Sequence, residues 1–113
     1  MSETYKYLTI DHHGDHITSV TFNRAKKANA LNRDFLLEIE EMALSFRDDI
    51  ETRVVIFTGQ GKHFSGGADL QETIDKDLLL LARRRNLRLG ERAIKAICNM
   101  DQISIAAWNG AAM

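Results

Sequence analysis

The sequence predicts an α/β fold, and three observations carry that expectation. Two short alternating apolar segments near the N-terminus read as a hairpin, and a well-capped amphipathic helix follows them. A short β-branched run, Val54-Val55-Ile56-Phe57, then breaks into glycines at Gly59 and Gly61. Hairpin, helix and buried strand, with a Gly-rich turn at the C-terminal end of that strand, is how α/β proteins set up ligand sites.

The elements follow in order. Tyr5–Asp11 alternates as a strand, with Leu8 and Ile10 directed inward. His12-His13-Gly14-Asp15 has the composition of a turn, and His16–Phe22 returns as a second strand with Ile17, Val20 and Phe22 apolar. His12, His13 and His16 invite a metal reading, but their spacing follows the turn and no cysteine completes a ligand set. A solvated hairpin tip is the better reading.

Asn23–Asn29 is a polar loop carrying Arg24, Lys26 and Lys27. Asn32 is a good N-cap for a helix whose Leu36, Ile39, Glu40, Ala43 and Phe46 share a face. Leu37, Met42 and Leu44 widen its apolar side, which predicts a well-covered helix. Asp48-Asp49 ends it, and Arg53 leads into the Val54–Phe57 strand.

Gln71–Met100 reads as helix in two pieces, interrupted at Gly90. Leu89, Ala93, Ile94, Ile97 and Met100 recur at helical spacing. Arg83, Arg84, Arg85 and Arg88 suit a solvated or salt-bridged face better than a phosphate-binding one. Cys98 falls in the apolar pattern and reads as a packing residue. Ile103–Trp108 is a further short strand, and Asn109-Gly110 a turn.

Length and composition bound the class. A chain of 113 residues makes about one domain, and 44% hydrophobic with 27% charged residues fits a soluble globular protein. A net charge of −1 gives no reason to expect a nucleic acid or an acidic membrane as partner. The longest leucine run, Leu78–Leu81, falls far short of a membrane span. Met1-Ser2-Glu3-Thr4 lacks a secretory layout and Cys98 stands alone, so a cytoplasmic protein is expected.

The chemistry concentrates in Val54–Leu70. After Phe64 come Ser65-Gly66-Gly67-Ala68-Asp69, with no bulky side chain at the tip. Glycines there let a ligand approach the main chain closely. If Asp69 opens the next helix, the amide N–H groups near Ala68 lie at its positive end and suit a developing oxyanion. Taken by itself, the stretch reads equally well as a tight strand-to-helix connection.

Gly61-Lys62-His63-Phe64-Ser65-Gly66-Gly67-Ala68-Asp69-Leu70 resembles the signature of the enoyl-CoA hydratase/isomerase (crotonase) superfamily. Two more segments resemble the same family in the same order. Asn23–Asn32 is similar to its Asn-Arg-Pro-x-x-x-Asn-Ala-Leu, and Ile105–Met113 is similar to the segment leading into its Gly-Gly-Gly. The chain has no proline: Ala25 stands where the family often has one, as does Ile103-Ser104.

The resemblance implies the N-terminal part, residues 1–113, of a single crotonase-like domain of stacked ββα units with outer helices, cut before the Gly-Gly-Gly. It implies an acyl-CoA substrate whose thioester enolate is held between two backbone N–H groups. Ala68 supplies the first; the second comes from the Gly-Gly-Gly, and the family's catalytic carboxylates also lie beyond residue 113. CoA would pass Lys26, Ala28 and Ala30 at its adenine end, and Ser65, Gly67, Ala68, Asp69 and Leu70 toward the thioester. Gln71 replaces a lysine common in the family. No cofactor beyond the CoA of the substrate is implied, and assembly as a homotrimer or hexamer is. The alternative is a non-catalytic fragment that at most binds CoA or self-associates.

Overall fold

Residues 5–69 and 80–112 are described by the structure, a computed structural model. Strands β1 (Leu8–Gly14) and β2 (Ile17–Phe22) form an antiparallel hairpin. Helix α1 (Arg33–Ser45) then returns the chain to β3 (Val54–Gly59), which lies parallel to β2 with Val20 opposite Phe57. Helix α2 (Leu80–Cys98) leads to β5 (Ile103–Ala106), parallel to β3, and the four-stranded sheet runs β1-β2-β3-β5. Between β3 and α2 lies β4 (His63–Ser65), a short strand that pairs in parallel with β6 (Ala111–Ala112) in a separate two-stranded sheet.

The hairpin turns at Asp15-His16, both at positive φ of 51° and 67°. Such left-handed pairs match the twist of the flanking strands, so His12, His13 and Gly14 extend β1 instead of forming the turn. His12 Nδ1 meets the Thr18 hydroxyl at 2.8 Å and His13 Nε2 the Ser19 hydroxyl at 2.8 Å. His16 Nδ1 meets the Glu51 carbonyl at 2.7 Å. Among the described residues, no group of three or more His, Cys, Asp or Glu could hold a metal ion.

The core lies between the sheet and the helices. Leu8, Ile10, Val20, Phe22, Val55 and Phe57 meet Phe35, Ile39, Met42, Ala43 and Phe46 there, and Ala93 of α2 joins them. Phe35 stacks on Tyr7 with ring centroids 5.4 Å apart and meets Phe22 edge-on at 5.6 Å. The Asn32 side chain accepts from the Phe35 N–H at 2.8 Å, which caps α1 as expected.

Several inward positions differ from the sequence reading. Thr18, not Ile17, is the buried residue at the start of β2; its hydroxyl pairs with that of Thr52 at 2.8 Å, which satisfies both. Phe35 and Met42 are the fully buried anchors of α1, whereas Leu37 and Leu44 are exposed, so the helix is less covered than its composition suggests. Gly90 does not interrupt α2, because the hydrogen-bonded helix runs through it. Leu89 and Ala93 are buried, while Ile94 and Cys98 lie outside. The buried stripe of α2 is thus narrower than its apolar pattern, and Cys98 is an exposed thiol and not a packing residue. Of the first expected helical piece, which runs from Gln71 to Gly90, residues 71–79 lie outside the described residues and the rest belongs to α2. Among the described residues, no helix is long and apolar enough to cross a membrane.

Candidate functional site

Two loops build the site: 23–32, which joins β2 to α1, and 59–69, which follows β3. Asn29 fastens them together. It is fully buried and sits at φ 56°, a left-handed conformation that asparagine tolerates better than most residues. Its Oδ1 accepts from the Arg24 N–H at 2.8 Å, and its Nδ2 donates to the carbonyls of Gln60 at 3.0 Å and His63 at 2.9 Å. Ala28 shares the left-handed conformation at φ 54°, a strained state for a residue with a Cβ. Its carbonyl accepts from the Gly66 N–H at 2.8 Å, which helps hold it there.

The glycine-rich loop is pinned residue by residue. The buried Ser65 hydroxyl donates to the Asn29 carbonyl at 3.0 Å and accepts from the Gly67 N–H at 3.1 Å. Gly66 packs on Ala28 and Ala30: an added Cβ would lie 3.4 Å from the Ala28 carbonyl oxygen and 3.9 Å from the Ala30 Cβ. Gly67 takes φ 81°, which a larger side chain would resist. Leu31 then bridges across Ala68: its N–H donates to the Gly67 carbonyl at 2.7 Å, and its carbonyl accepts from the Asp69 N–H at 3.0 Å.

That bridge fixes the direction of the Ala68 amide. Successive amides in an extended segment point to opposite sides. Because the Gly67 carbonyl and Asp69 N–H face Leu31, the Ala68 N–H faces away from it. Ala68 is exposed, and its N–H has no acceptor among the described residues.

Asp69 is held from a third side. Arg24 Nη1 donates to its Oδ2 at 2.8 Å and to the Ala30 carbonyl at 2.8 Å. The two charged side chains are only 16% and 13% exposed, and the guanidinium lies 5.7 Å from the Tyr7 ring centroid. The hydrogen bond to the Asn32 side chain, followed by that involving Lys6, holds the Tyr7 phenol below its ordinary pKa against the opposing effect of burial.

The C-terminal segment closes on the same loop. Asn109 Oδ1 accepts from the Gly59 N–H at 2.9 Å, and its Nδ2 donates to the carbonyls of Gly61 at 2.9 Å and His63 at 3.3 Å. Beyond it, β6 runs beside β4, so Ala111 and Ala112 lie next to His63 and Ser65.

The structure therefore gathers Ala28, Ala30, Ser65, Gly67, Ala68 and Asp69 of the expected site. Lys26 lies apart on an exposed 3-10 turn, Ala25–Lys27. Leu70 and Gln71 lie outside the described residues, as does the helix start proposed for Asp69. The structural roles of Asn29, Arg24 and Asn109 are additions to the sequence reading. Arg24 and Asn29 fall in the Asn23–Asn32 segment and Asn109 in the Ile105–Met113 segment, so the family resemblance of those segments is the one signal that could have flagged them. A groove of about 380 Å³ between α1 and α2, lined by Glu40, Leu44, Arg47, Arg92 and Lys95 among others, contains none of the motif residues.

Comparison with known proteins now decides the family. The family model for enoyl-CoA hydratase/isomerase matches residues 12–113. This chain belongs to the enoyl-CoA hydratase/isomerase family. A crotonyl-CoA hydratase of Syntrophomonas wolfei is 38% identical over 92 residues, covering 80% of this chain and 35% of the relative. A short-chain-enoyl-CoA hydratase of Clostridium acetobutylicum is 36% identical over 98 residues, covering 86% of this chain and 37% of the relative. The crystal structure of an enoyl-CoA hydratase from Bacillus anthracis superposes with a TM-score of 0.86 at 29% identity, over 93% of this chain and 40% of that one. DspI of Pseudomonas aeruginosa superposes with a TM-score of 0.87 at 33% identity, over 98% and 41% respectively. The crotonase-type α/β fold expected from the motifs is the one present, and this family member spans little more than a third of those curated relatives.

Proposed function

We propose that this chain supplies the first half of an oxyanion hole to an enzyme acting on acyl-CoA thioesters, with the Ala68 N–H as donor. The observation that carries the reading is that amide: exposed, turned away from Leu31 by two hydrogen bonds, and without an acceptor among the described residues. A backbone donor fixed before the substrate arrives needs no reorganisation as charge builds on the thioester oxygen, and this makes such donors effective. The small residues Ala28, Ala30, Gly66 and Gly67 leave room for a pantetheine arm along the loop. Lys26 is an exposed cation suited to a CoA phosphate, Ser65 and Asp69 brace the loop, and Leu70 is a further contact that the family resemblance implies. The chain is taken as the N-terminal share of one crotonase-like domain.

The relatives named for crotonyl-CoA and short-chain enoyl-CoA favour hydration of a short 2-enoyl-CoA as the reaction. The test is hydration of crotonyl-CoA by the full-length protein, followed by loss of the enoyl absorbance. A folded full-length protein inert toward crotonyl-CoA and other acyl-CoA thioesters would refute the reading.

A second reading is that this chain alone binds CoA thioesters without turning them over. Its support is the chain's span, 35% and 37% of those two relatives. Calorimetry with acetyl-CoA beside a turnover assay separates the two: binding without turnover by this chain supports the second.

A further inference from the structure

Asp69 puts a carboxylate on the residue next to the Ala68 amide, an awkward neighbour for an oxyanion. Like charges near one another in a partly desolvated site repel. The structure pairs that carboxylate: Arg24 Nη1 lies 2.8 Å from Asp69 Oδ2, with the side chains 16% and 13% exposed. The same nitrogen donates to the Ala30 carbonyl at 2.8 Å, and the Arg24 N–H is fixed by Asn29 at 2.8 Å. The guanidinium is thus tied to loop 23–32 by its main chain and by its head group.

Holding the backbone does not require this pair. The Leu31 N–H to Gly67 carbonyl and Asp69 N–H to Leu31 carbonyl bonds already set the Ala68 amide from both sides. A partly buried ion pair is also weak evidence for stability, because desolvation offsets much of the attraction. What the pair adds is electrostatic.

Resting on the functional reading above, we propose that Arg24 is a positioning residue. It neutralises Asp69, so that the neighbouring Ala68 N–H presents its full positive field to a bound thioester oxygen. One guanidinium nitrogen serves both the carboxylate and the carbonyl, and the guanidinium carbon lies 5.7 Å from the Tyr7 ring centroid.

The test reads the field directly. Acetyl-CoA labelled with 13C at the thioester carbonyl is bound to the protein, and the infrared carbonyl stretch is compared with that of free acetyl-CoA. In the unaltered protein the stretch moves to lower frequency. Arg24→Gln leaves Asp69 without this partner, so at least about half of that movement is lost while Kd for acetyl-CoA changes by less than about 3-fold. Adding Asp69→Asn to Arg24→Gln restores the movement, because no carboxylate remains to oppose it.

An unchanged stretch in folded Arg24→Gln overturns the proposal, and so does a double variant no better than the single one, which is what a purely structural tether gives. Should Arg24→Gln fail to fold by circular dichroism, the double variant decides: a stretch like that of the unaltered protein supports the proposal, and a lost movement overturns it. Absence of acetyl-CoA binding, or no movement in the unaltered protein, overturns the functional reading itself and the role of Arg24 with it.

Discussion

At the scale of single residues, the proposed oxyanion site rests on a backbone atom, so the proposal makes side-chain size at Ala68 matter less than the presence of its N–H. Ala68→Pro, in the full-length protein, removes that donor and fixes φ near −65°. A fall in kcat/KM toward crotonyl-CoA of at least about 10² is expected, near 2.7 kcal/mol or more of lost transition-state stabilisation. Ala68→Ser keeps the N–H on an exposed residue and costs far less. Steady-state kinetics on both variants, once circular dichroism shows them folded, check the pair; equal activities would remove Ala68 from the reaction. The glycine-rich tip was legible as a candidate site because Gly66, Gly67 and Ala68 leave the main chain bare. Asn29 was not, because a loop asparagine looks the same in sequence whether it faces water or, as here, binds Gln60, His63 and Arg24 in full burial.

At the scale of elements, α2 and the turn before β3 each give a prediction. Gly90 lies within the helix at an ordinary negative φ, and a Cβ added there would meet nothing within 4 Å. Gly90→Ala is expected to stabilise the protein by about 0.5–1 kcal/mol, read from the urea midpoint, since alanine lowers the entropy of the unfolded chain without a clash. A destabilised variant would mean that the glycine serves an interaction not found here. Before β3, Asp49 Oδ1 accepts from the N–H groups of Glu51 and Thr52 at 2.9 Å each. Burial pushes its carboxyl up, but hydrogen bonds from the Thr52 hydroxyl and those two amides outweigh it, and the net pKa lies below the ordinary 3.8. With the folded pKa below the unfolded one, this contribution is fully present above the unfolded value. It is lost as pH falls through the folded value. Asp49→Asn should therefore flatten the loss of stability below about pH 4. Urea midpoints measured down the acid limb check this, and an unchanged slope would exclude Asp49 as a contributor. Glu40 is likewise held low, by its hydrogen bonds from Arg92, but that pair is half open to solvent and adds little.

At the scale of the whole molecule, the strand and helix order was readable because each element repeats its own period in the side chains. What the sequence left hidden came from distant partners. The register of β4 against β6 is one case: two alanines and a His-Phe-Ser triplet carry no periodic signal, and pairing arises only once β3 and β5 lie side by side. The exposure of Cys98 and Ile94 is another, since the side of α2 that faces α1 is chosen by packing and not by the apolar count. Asn109-Gly110 looked like a simple turn, yet it fixes the far end of the chain to the glycine-rich loop. Asn109 reaches Gly59, Gly61 and His63, and Gly110 passes so close to Lys62 that an added Cβ would collide with the Lys62 carbonyl oxygen. The clash is with backbone on both sides, so no side-chain rotation relieves it. Gly110→Ala must push β6 away from β4 or distort 59–63, at about 1–3 kcal/mol on the scale of overpacked sites. The urea midpoint of the folded variant is expected to fall accordingly. Unaltered stability would show that Gly110 is a turn residue alone, and that the loop bearing Ala68 is held without this contact.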